Sequence, residues 1–361
     1  MTATRSSGPA LAVVGATGAV GAVLLQILSQ RADVWGDIRL IASARSAGRR
    51  LAVRARESEV LALSDAAFDG LGKGDIALFL TPAEVSARWA PAVTARGAVV
   101  VDQSAAFRED REVPLVVPEV NGHAVRNRPR GIVAGPDCVT AVMIAALGAL
   151  HAEYCLADLV VSSYQAAGAA GRAGSQTLRR QLSLVAGTTL GEQPGDVRRA
   201  VGEDTGPFAA PLALNVVPWS GRLCEGGWSS HELAVRAQTR RLLDLERLPV
   251  SVTCVQVPVL TGHSLTVRAR FENVVDAGHA REILDAAPGV ILVDDPAAGE
   301  FPTPADAAGT DPAWVGRVRA SLDDPRSLEF FVCADNLRKG AALNAAHIAE
   351  LIAGEFAEIA L

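Results

Sequence analysis

Five cysteines, Cys138, Cys155, Cys224, Cys254 and Cys333, are spread along 361 residues with no CxxC pair. That pattern argues against a disulfide framework and against a structural zinc site, and no metal is expected. Four of the five sit within or beside apolar runs and read as small buried hydrophobes. Cys138 is different, because it stands between Gly135-Pro136-Asp137 and a helix beginning near Thr140. The partial positive charge and free N–H groups of a helix start favour the thiolate, the nucleophilic form. A thiolate that attacks an activated acyl group forms a thioester. Hydride transfer to or from a neighbouring nicotinamide then links that thioester to an aldehyde through a tetrahedral thiohemiacetal.

A nicotinamide requires a dinucleotide site, and glycines near the start of the chain have the right setting. Leu11 to Val14 is a short apolar run of the kind that forms a buried parallel strand, and Gly15-Ala16-Thr17-Gly18-Ala19-Val20-Gly21 leads from it into a helix expected over Ala22 to Leu28. Gly15, Thr17, Gly18, Ala19 and Val20 are the cofactor-binding candidates, since a tight glycine turn lets a pyrophosphate sit against unpaired N–H groups at the helix start. A tightly packed structural turn is the other reading of these residues. The uncharged run Leu11 to Leu28 also has to be weighed as a membrane span, but glycines at three-residue spacing fit a phosphate turn better than lipid. A second strand, Ile38 to Ala42, ends in Ser43-Ala44-Arg45-Ser46-Ala47-Gly48. An NAD site usually carries a carboxylate there; Ser43, Arg45 and Ser46 suit the 2′-phosphate of NADP instead. A solvated polar loop is the competing account.

These residues must be held by alternating strands and helices. Apolar runs at Ile76 to Leu80 and Val99 to Val101, separated by a helix over Ala83 to Arg96, continue an α/β pattern with a parallel sheet. Ile132 to Ala134 is a further strand, and Ala141 to Ala152 a long apolar helix. From Leu159 the texture changes to strands at Leu159 to Ser163, Val250 to Val259, Ser264 to Phe271 and Glu329 to Cys333, a mixed α+β second domain. The Ala-rich stretch Lys339 to Leu361 reads as an amphipathic helix packing back on the first domain. The expected division is therefore residues 1–136 with 339–361 for the dinucleotide-binding domain and residues 137–338 for the other. With 34 Lys and Arg against 40 Asp and Glu, the basic excess that nucleic acid demands is missing. The scattered cysteines make a reducing cytoplasm the expected setting; Met1 to Ala10 lacks the layout of a secretory leader, and no membrane association is expected.

The motifs extend well beyond the glycine turn. Ala12 to Gly21 (AVVGATGAVG), Ala42 to Gly48, Ser104 to Arg108 (SAAFR), Val113 to Asn121 (VPLVVPEVN), Ser163 to Ala166 (SYQA), Thr253 to Ser264 (TCVQVPVLTGHS), Pro302-Thr303-Pro304 and Ala334 to Ala345 (ADNLRKGAALNA) together resemble the aspartate-β-semialdehyde dehydrogenases along nearly the whole chain. The resemblance implies an α/β protein, with a Rossmann-type parallel-sheet domain and an α+β catalytic and dimerisation domain. It implies an NADP(H)-dependent, phosphorylating aldehyde dehydrogenase working as a homodimer or homotetramer on small molecules, an acyl phosphate or aldehyde and inorganic phosphate. Carried over by position, Cys138 is the nucleophile, His263 the general acid/base, Gln165 a substrate-orienting amide and Arg108 an anion ligand for phosphate. By the same resemblance Asn336 binds the nicotinamide carboxamide, and Gly168 belongs to the cofactor set.

Departures from the family pattern cluster where the acyl group is recognised. Gln256 occupies the position of an Arg that holds the substrate carboxylate, a task a neutral amide does poorly. His231, Glu232 and Ala234 fall on a Glu-Glu-x-Lys stretch. A one-residue shift lets Glu232 serve as the amine-binding Glu, while Arg236 is the nearest cation in place of the Lys. Asp137 replaces an Asn directly before the nucleophile and would oppose thiolate formation unless protonated or turned away. Thr81-Pro82 replaces small residues, and Gly168-Ala169 replaces Ser-Gly. Three readings follow: the family's own reaction on β-aspartyl phosphate, the same thioester chemistry on another acyl phosphate or thioester in a specialised biosynthetic pathway, or a catalytically silent dinucleotide-binding homologue.

Overall fold

Leu11–Val14 has no polar side chain to turn toward water, and it forms a fully buried central strand, β1. The computed structural model describes residues 8–31 and 34–359, and the chain separates into two units with boundaries between 137 and 138 and between 340 and 341. The expectations for the first residues and for the end of the last helix lie partly outside the described residues.

In the first unit β2 (Ile38–Ala42), β3 (Arg50–Val53), β4 (Arg56–Ala62), β5 (Ile76–Phe79), β6 (Val99–Asp102) and β7 (Ile132–Ala134) join β1 in the order β3-β4-β2-β1-β5-β6-β7. All neighbours are parallel except the β3–β4 hairpin. The chain runs outward from β1 through β2 on one side and through β5 on the other. Such a reversal opens a crevice at the carboxyl ends of the strands, where open α/β sheets bind ligands. Sequence patterning misses the hairpin because Arg54 and Ala55, at φ 51° and 56°, make its turn without the usual Gly or Asn. The uncharged run Leu11 to Leu28 is a strand, a glycine turn and most of helix Ala19–Gln30. Among the described residues no helix is long and apolar enough to cross a membrane. Helix Leu343–Ile359 belongs to this unit's core, where Ile348 and Ile352 pack with Leu24, Ile27 and Leu28. Arg31 with Glu350 and Arg128 with Glu355 pin its flank.

The second unit opens on helix Cys138–Tyr154, which starts two residues before the expected Thr140. It is buried nearly all round from Val139 to Leu147, which is why its sequence is apolar on every face. Its sheet contains β8 (Leu156–Gln165), β9 (Val250–Gln256), β10 (His263–Phe271), β11 (Val290–Leu292), β12 (Ala313–Ala320) and β13 (Ser327–Ala334), in the order β11-β12-β13-β10-β8-β9. Strand β10 is antiparallel to both β8 and β13, while β9 is parallel to β8. One edge of the sheet therefore collects the ends of β8, β9 and β13 and the start of β10. Gln165 pairs with Gln256, and His263 with Ala334, at that edge.

A buried carboxylate holds the irregular part of this sheet. Register shifts in β12 between Gly316 and Arg319, and Arg317 adopts φ 57°. Asp294, with only 1% of its side chain exposed, accepts the backbone N–H groups of Arg317 (2.6 Å) and Val318 (3.1 Å) and the Nε–H of Arg281 (2.7 Å). Asp294→Ala strands all three donors and is expected to cost about 2–4 kcal/mol, measured as a lower urea midpoint. An unchanged midpoint would show that the bulge holds itself.

Candidate active site

Cys138 is the first residue of its helix, so its sulfur meets the positive end of the helix dipole. Its Sγ lies 3.1 Å from Nε2 of His263. His263 is the first residue of β10, and it is fully buried. The Ala166 N–H, just past the end of β8, donates to His263 Nδ1 at 3.0 Å. That bond occupies the Nδ1 lone pair, so the neutral ring carries its proton on Nε2, facing the sulfur. The imidazole is thus set as a donor to a thiolate and to any oxyanion that replaces it.

Neutral amides lie along the same sheet edge. Gln165 is 1% exposed and donates from Nε2 to Ser163 Oγ at 3.1 Å. Beside it Gln256 exchanges backbone hydrogen bonds with Val217, while its Oε1 is buried without a hydrogen-bond partner. His231 Nδ1 is 2.8 Å from Ser220 Oγ. Glu232 is occupied structurally: one carboxylate oxygen accepts the Ser229 N–H in a capping box, and the other accepts the Cys254 N–H. These bonds tie the helix of Glu232 to β9 and fix where its carboxylate stands.

The turn after β13 adds two groups. Asp335 accepts the N–H groups of Leu337 and Arg338 through one oxygen and that of Gly309 through the other. The turn so held presents Asn336, whose Oδ1 accepts the Gly262 N–H at 3.0 Å and whose Nδ2 is buried without a partner. A Cβ on Gly168 would stand 3.8 Å from that Nδ2. Arg338–Ala342 then forms a π-helical turn, with Gly340 N–H donating to Asp335 O. A Cβ on Gly340 would lie 2.8 Å from Cys138 Cβ, closer than such atoms approach. Gly340 thereby sets where the nucleophile can sit. Sequence reasoning missed it, although a glycine inside an Ala-rich helical pattern was a signal of close approach.

The first unit carries the expected cofactor and anion groups. Gly15 has φ 94°, and a Cβ there would be 2.3 Å from Leu80 O. Gly18 precedes helix Ala19–Gln30 in extended conformation, and no side chain caps the helix start that Ala19 and Val20 open. Thr17 Oγ1 donates to Ser46 Oγ at 3.2 Å, which links the glycine turn to the short 3-10 turn Ala44–Ser46 that follows Ser43; Arg45 is exposed. At the end of β6, Asp102 is fully buried and accepts Ser104 Oγ–H at 2.7 Å. Burial pushes its carboxyl up, against hydrogen bonds from Ser86 and Ser104 and the charge of Arg108. Ser104 Oγ in turn accepts the Ala106 N–H, fixing the turn toward Arg108. Arg108 donates from Nε to Gly135 O at 2.9 Å and from Nη2 to Gln103 O at 2.6 Å. Its Nη1 is 3.8 Å from Asp137.

A Rossmann-type sheet in one unit and a cysteine paired with an imidazole in the other are the parts of a cysteine-dependent dehydrogenase, and the family models place it in the semialdehyde class: "Semialdehyde dehydrogenase, NAD binding domain" matches residues 10–128 and "Semialdehyde dehydrogenase, dimerisation domain" matches residues 147–339. The chain is 44% identical over 346 residues to an aspartate-semialdehyde dehydrogenase of Corynebacterium glutamicum, covering 95% of this chain and 98% of that protein. It is 38% identical over 350 residues to one from Aquifex aeolicus, covering 96% and 99%. Among solved structures, aspartate semialdehyde dehydrogenase II of Vibrio cholerae complexed with ASA superposes with a TM-score of 0.87 at 33% identity, covering 96% and 98%. The Candida albicans enzyme with NADP shares the fold, with a TM-score of 0.70 at 21% identity and the same coverage. The chain belongs to the aspartate-semialdehyde dehydrogenase family.

Two outcomes follow from this geometry. Gly340→Ala should displace the nucleophile and lower kcat about 10- to 100-fold with little change in the KM for nucleotide; equal kcat in steady-state assays would remove Gly340 from the site. For Asp102, a folded-state pKa raised above the unfolded 3.8 means that its stabilising contribution is fully present below 3.8 and is lost as pH rises through the folded value. Asp102→Asn should therefore flatten the fall of thermal midpoint as pH rises above 3.8, and an unaltered slope would contradict the assignment.

Proposed function

We propose that the protein is an NADP-dependent aspartate-semialdehyde dehydrogenase, which interconverts L-aspartate semialdehyde, inorganic phosphate and NADP with β-aspartyl phosphate and NADPH. The observation that carries this is the 3.1 Å approach of Cys138 Sγ and His263 Nε2 at a helix start, in a chain of this family. The residues fit the nucleotide. Gly15 and Gly18 bring backbone close at an uncapped helix start, where Thr17, Ala19 and Val20 would hold the pyrophosphate. Ser43, Arg45 and Ser46 would take the 2′-phosphate, and the unpartnered Asn336 Nδ2 beside Gly168 would donate to the nicotinamide carboxamide. When bound, the cofactor supplies the hydride acceptor in oxidation and the donor in reduction.

In the oxidative direction the Cys138 thiolate adds to the aldehyde carbon, and negative charge moves from sulfur to oxygen. His263 Nε2–H follows that charge and stabilises the oxyanion of the adduct. Loss of hydride leaves the acyl group as a thioester on Cys138. Phosphate attacks the thioester carbonyl, and the C–S bond breaks to regenerate the thiolate. Arg108 would bind the phosphate, and Gln165 would orient the acyl group through its amide. Gln256 and His231 complete the proposed substrate contacts. The dimerisation domain supports a homodimer or homotetramer, and five free cysteines, one of them a working nucleophile, support a reducing, cytoplasmic setting.

The test is reduced-nicotinamide formation with NADP, phosphate and L-aspartate semialdehyde. Turnover is expected in the wild type, with a loss of at least about 10³-fold in Cys138→Ser and about 10²- to 10⁴-fold in His263→Ala. Full activity in Cys138→Ser would sink the thioester mechanism. NADP binding without turnover would redirect the assignment to another acyl group.

A further inference from the structure

Arg108 is not an open cation waiting for an anion. Two of its nitrogens are committed to backbone carbonyls, Nε to Gly135 O and Nη2 to Gln103 O, at 2.9 and 2.6 Å. These bonds fix the guanidinium plane. The third nitrogen, Nη1, faces the Asp137 carboxylate at 3.8 Å, and the two side chains are only 13% and 14% exposed. Water and salt therefore screen this pair less than they would a surface pair. Asp102 also acts on Arg108 electrostatically, but it is fully buried, and one of its oxygens accepts the Ser104 hydroxyl. Asp137 lies at the looser distance, where an incoming anion competes with it directly.

We propose that Asp137 is an internal counter-anion that weakens phosphate binding at Arg108 and so speeds phosphate release. This rests on the reading of Arg108 as the phosphate ligand. An oxyanion that settles on Nη1 must share it with a carboxylate or displace that carboxylate, and either course raises the dissociation constant for phosphate. The reaction's equilibrium is unaltered, since no catalyst changes it. What changes is occupancy: in the direction that consumes acyl phosphate, the phosphate product leaves readily and inhibits little, whereas aldehyde oxidation needs a higher phosphate concentration. Asp137 acts through Arg108 and is a positioning residue, not a catalytic one. Its position directly before Cys138 in the chain makes it part of the same short segment as the nucleophile.

The test compares Asp137→Asn, Asp137→Ala and Asp137→Glu, with Arg108→Lys as the control on the underlying reading. Inorganic phosphate is the probe, as substrate in aldehyde oxidation and as inhibitor in the reverse reaction. Removing the charge in Asp137→Asn and Asp137→Ala should lower the KM for phosphate, and its inhibition constant, by about tenfold, the size expected of a partly screened charge at this distance. Asp137→Glu keeps the charge and should stay near the wild type, and the KM for NADP should be unchanged throughout. A merely structural role for Asp137 would alter kcat or stability without this split. If Arg108→Lys raises the phosphate KM but neither neutral variant lowers it, the proposal is overturned and the reading of Arg108 stands. If Arg108→Lys also leaves the phosphate KM unchanged, Arg108 is not the ligand and both fall.

Discussion

The hydrogen bond from the Ala166 N–H to Nδ1 of His263 is the constraint on which the catalytic unit turns. It fixes the tautomer of a fully buried imidazole, and with it the direction of the proton on Nε2. A buried ring cannot borrow a partner from water, so its chemistry is set by the groups around it. Placing that N–H requires the end of β8 to lie beside the start of β10, which the antiparallel pairing of those strands achieves. The same pairing brings Gln165 and Gln256 to one edge and, through β13, the turn that carries Asn336. The sheet register is therefore the device that assembles the site.

The helix of Cys138 depends on a second constraint, which is space. Gly340 leaves no room for even one more carbon next to the nucleophile, and the π-helical turn around it is a distortion of the kind often found at functional sites. In the first unit the glycine turn works similarly, since Gly15 is excluded from carrying a Cβ by the carbonyl of Leu80. Both are places where a missing side chain is the functional feature. Charge is arranged around them with comparable economy: Arg108 is held by carbonyls and faced by Asp137, and Asp102 is buried with the Ser104 hydroxyl on one oxygen.

Much of this was legible from the order of residues. Buried strands announced themselves as short apolar runs, because a strand covered on both faces has no polar positions. Ile132–Ala134 appears with the bounds its sequence suggested, and β1, β2, β5 and β6 lie within a residue of theirs. The β3–β4 hairpin was hidden, because its turn residues Arg54 and Ala55 lack the usual signature and its exposed strands alternate poorly. The first turn of the Cys138 helix is hidden in the sequence, because Cys138 and Val139 give no boundary signal of their own. Strands β11 and β12 leave no legible pattern in the sequence. The first is three residues long, and the second is broken by a bulge that a distant carboxylate, Asp294, holds in place.

Residue type and spacing alone established that a lone cysteine precedes a helix, that a glycine turn links a strand to a helix, and that hydroxyls and a guanidinium follow the second strand. These are local facts, governed by backbone sterics and helix dipoles within a few residues. The partnership of Cys138 with His263, the tautomer that Ala166 imposes, the enlistment of Glu232 as a helix cap and the pairing of Arg108 with Asp137 belong to the folded chain. Each joins groups through hydrogen bonds or charges whose strength depends on distance and burial. Cys138 and His263 are 125 residues apart in sequence, and only strand register and close packing bring them to 3.1 Å.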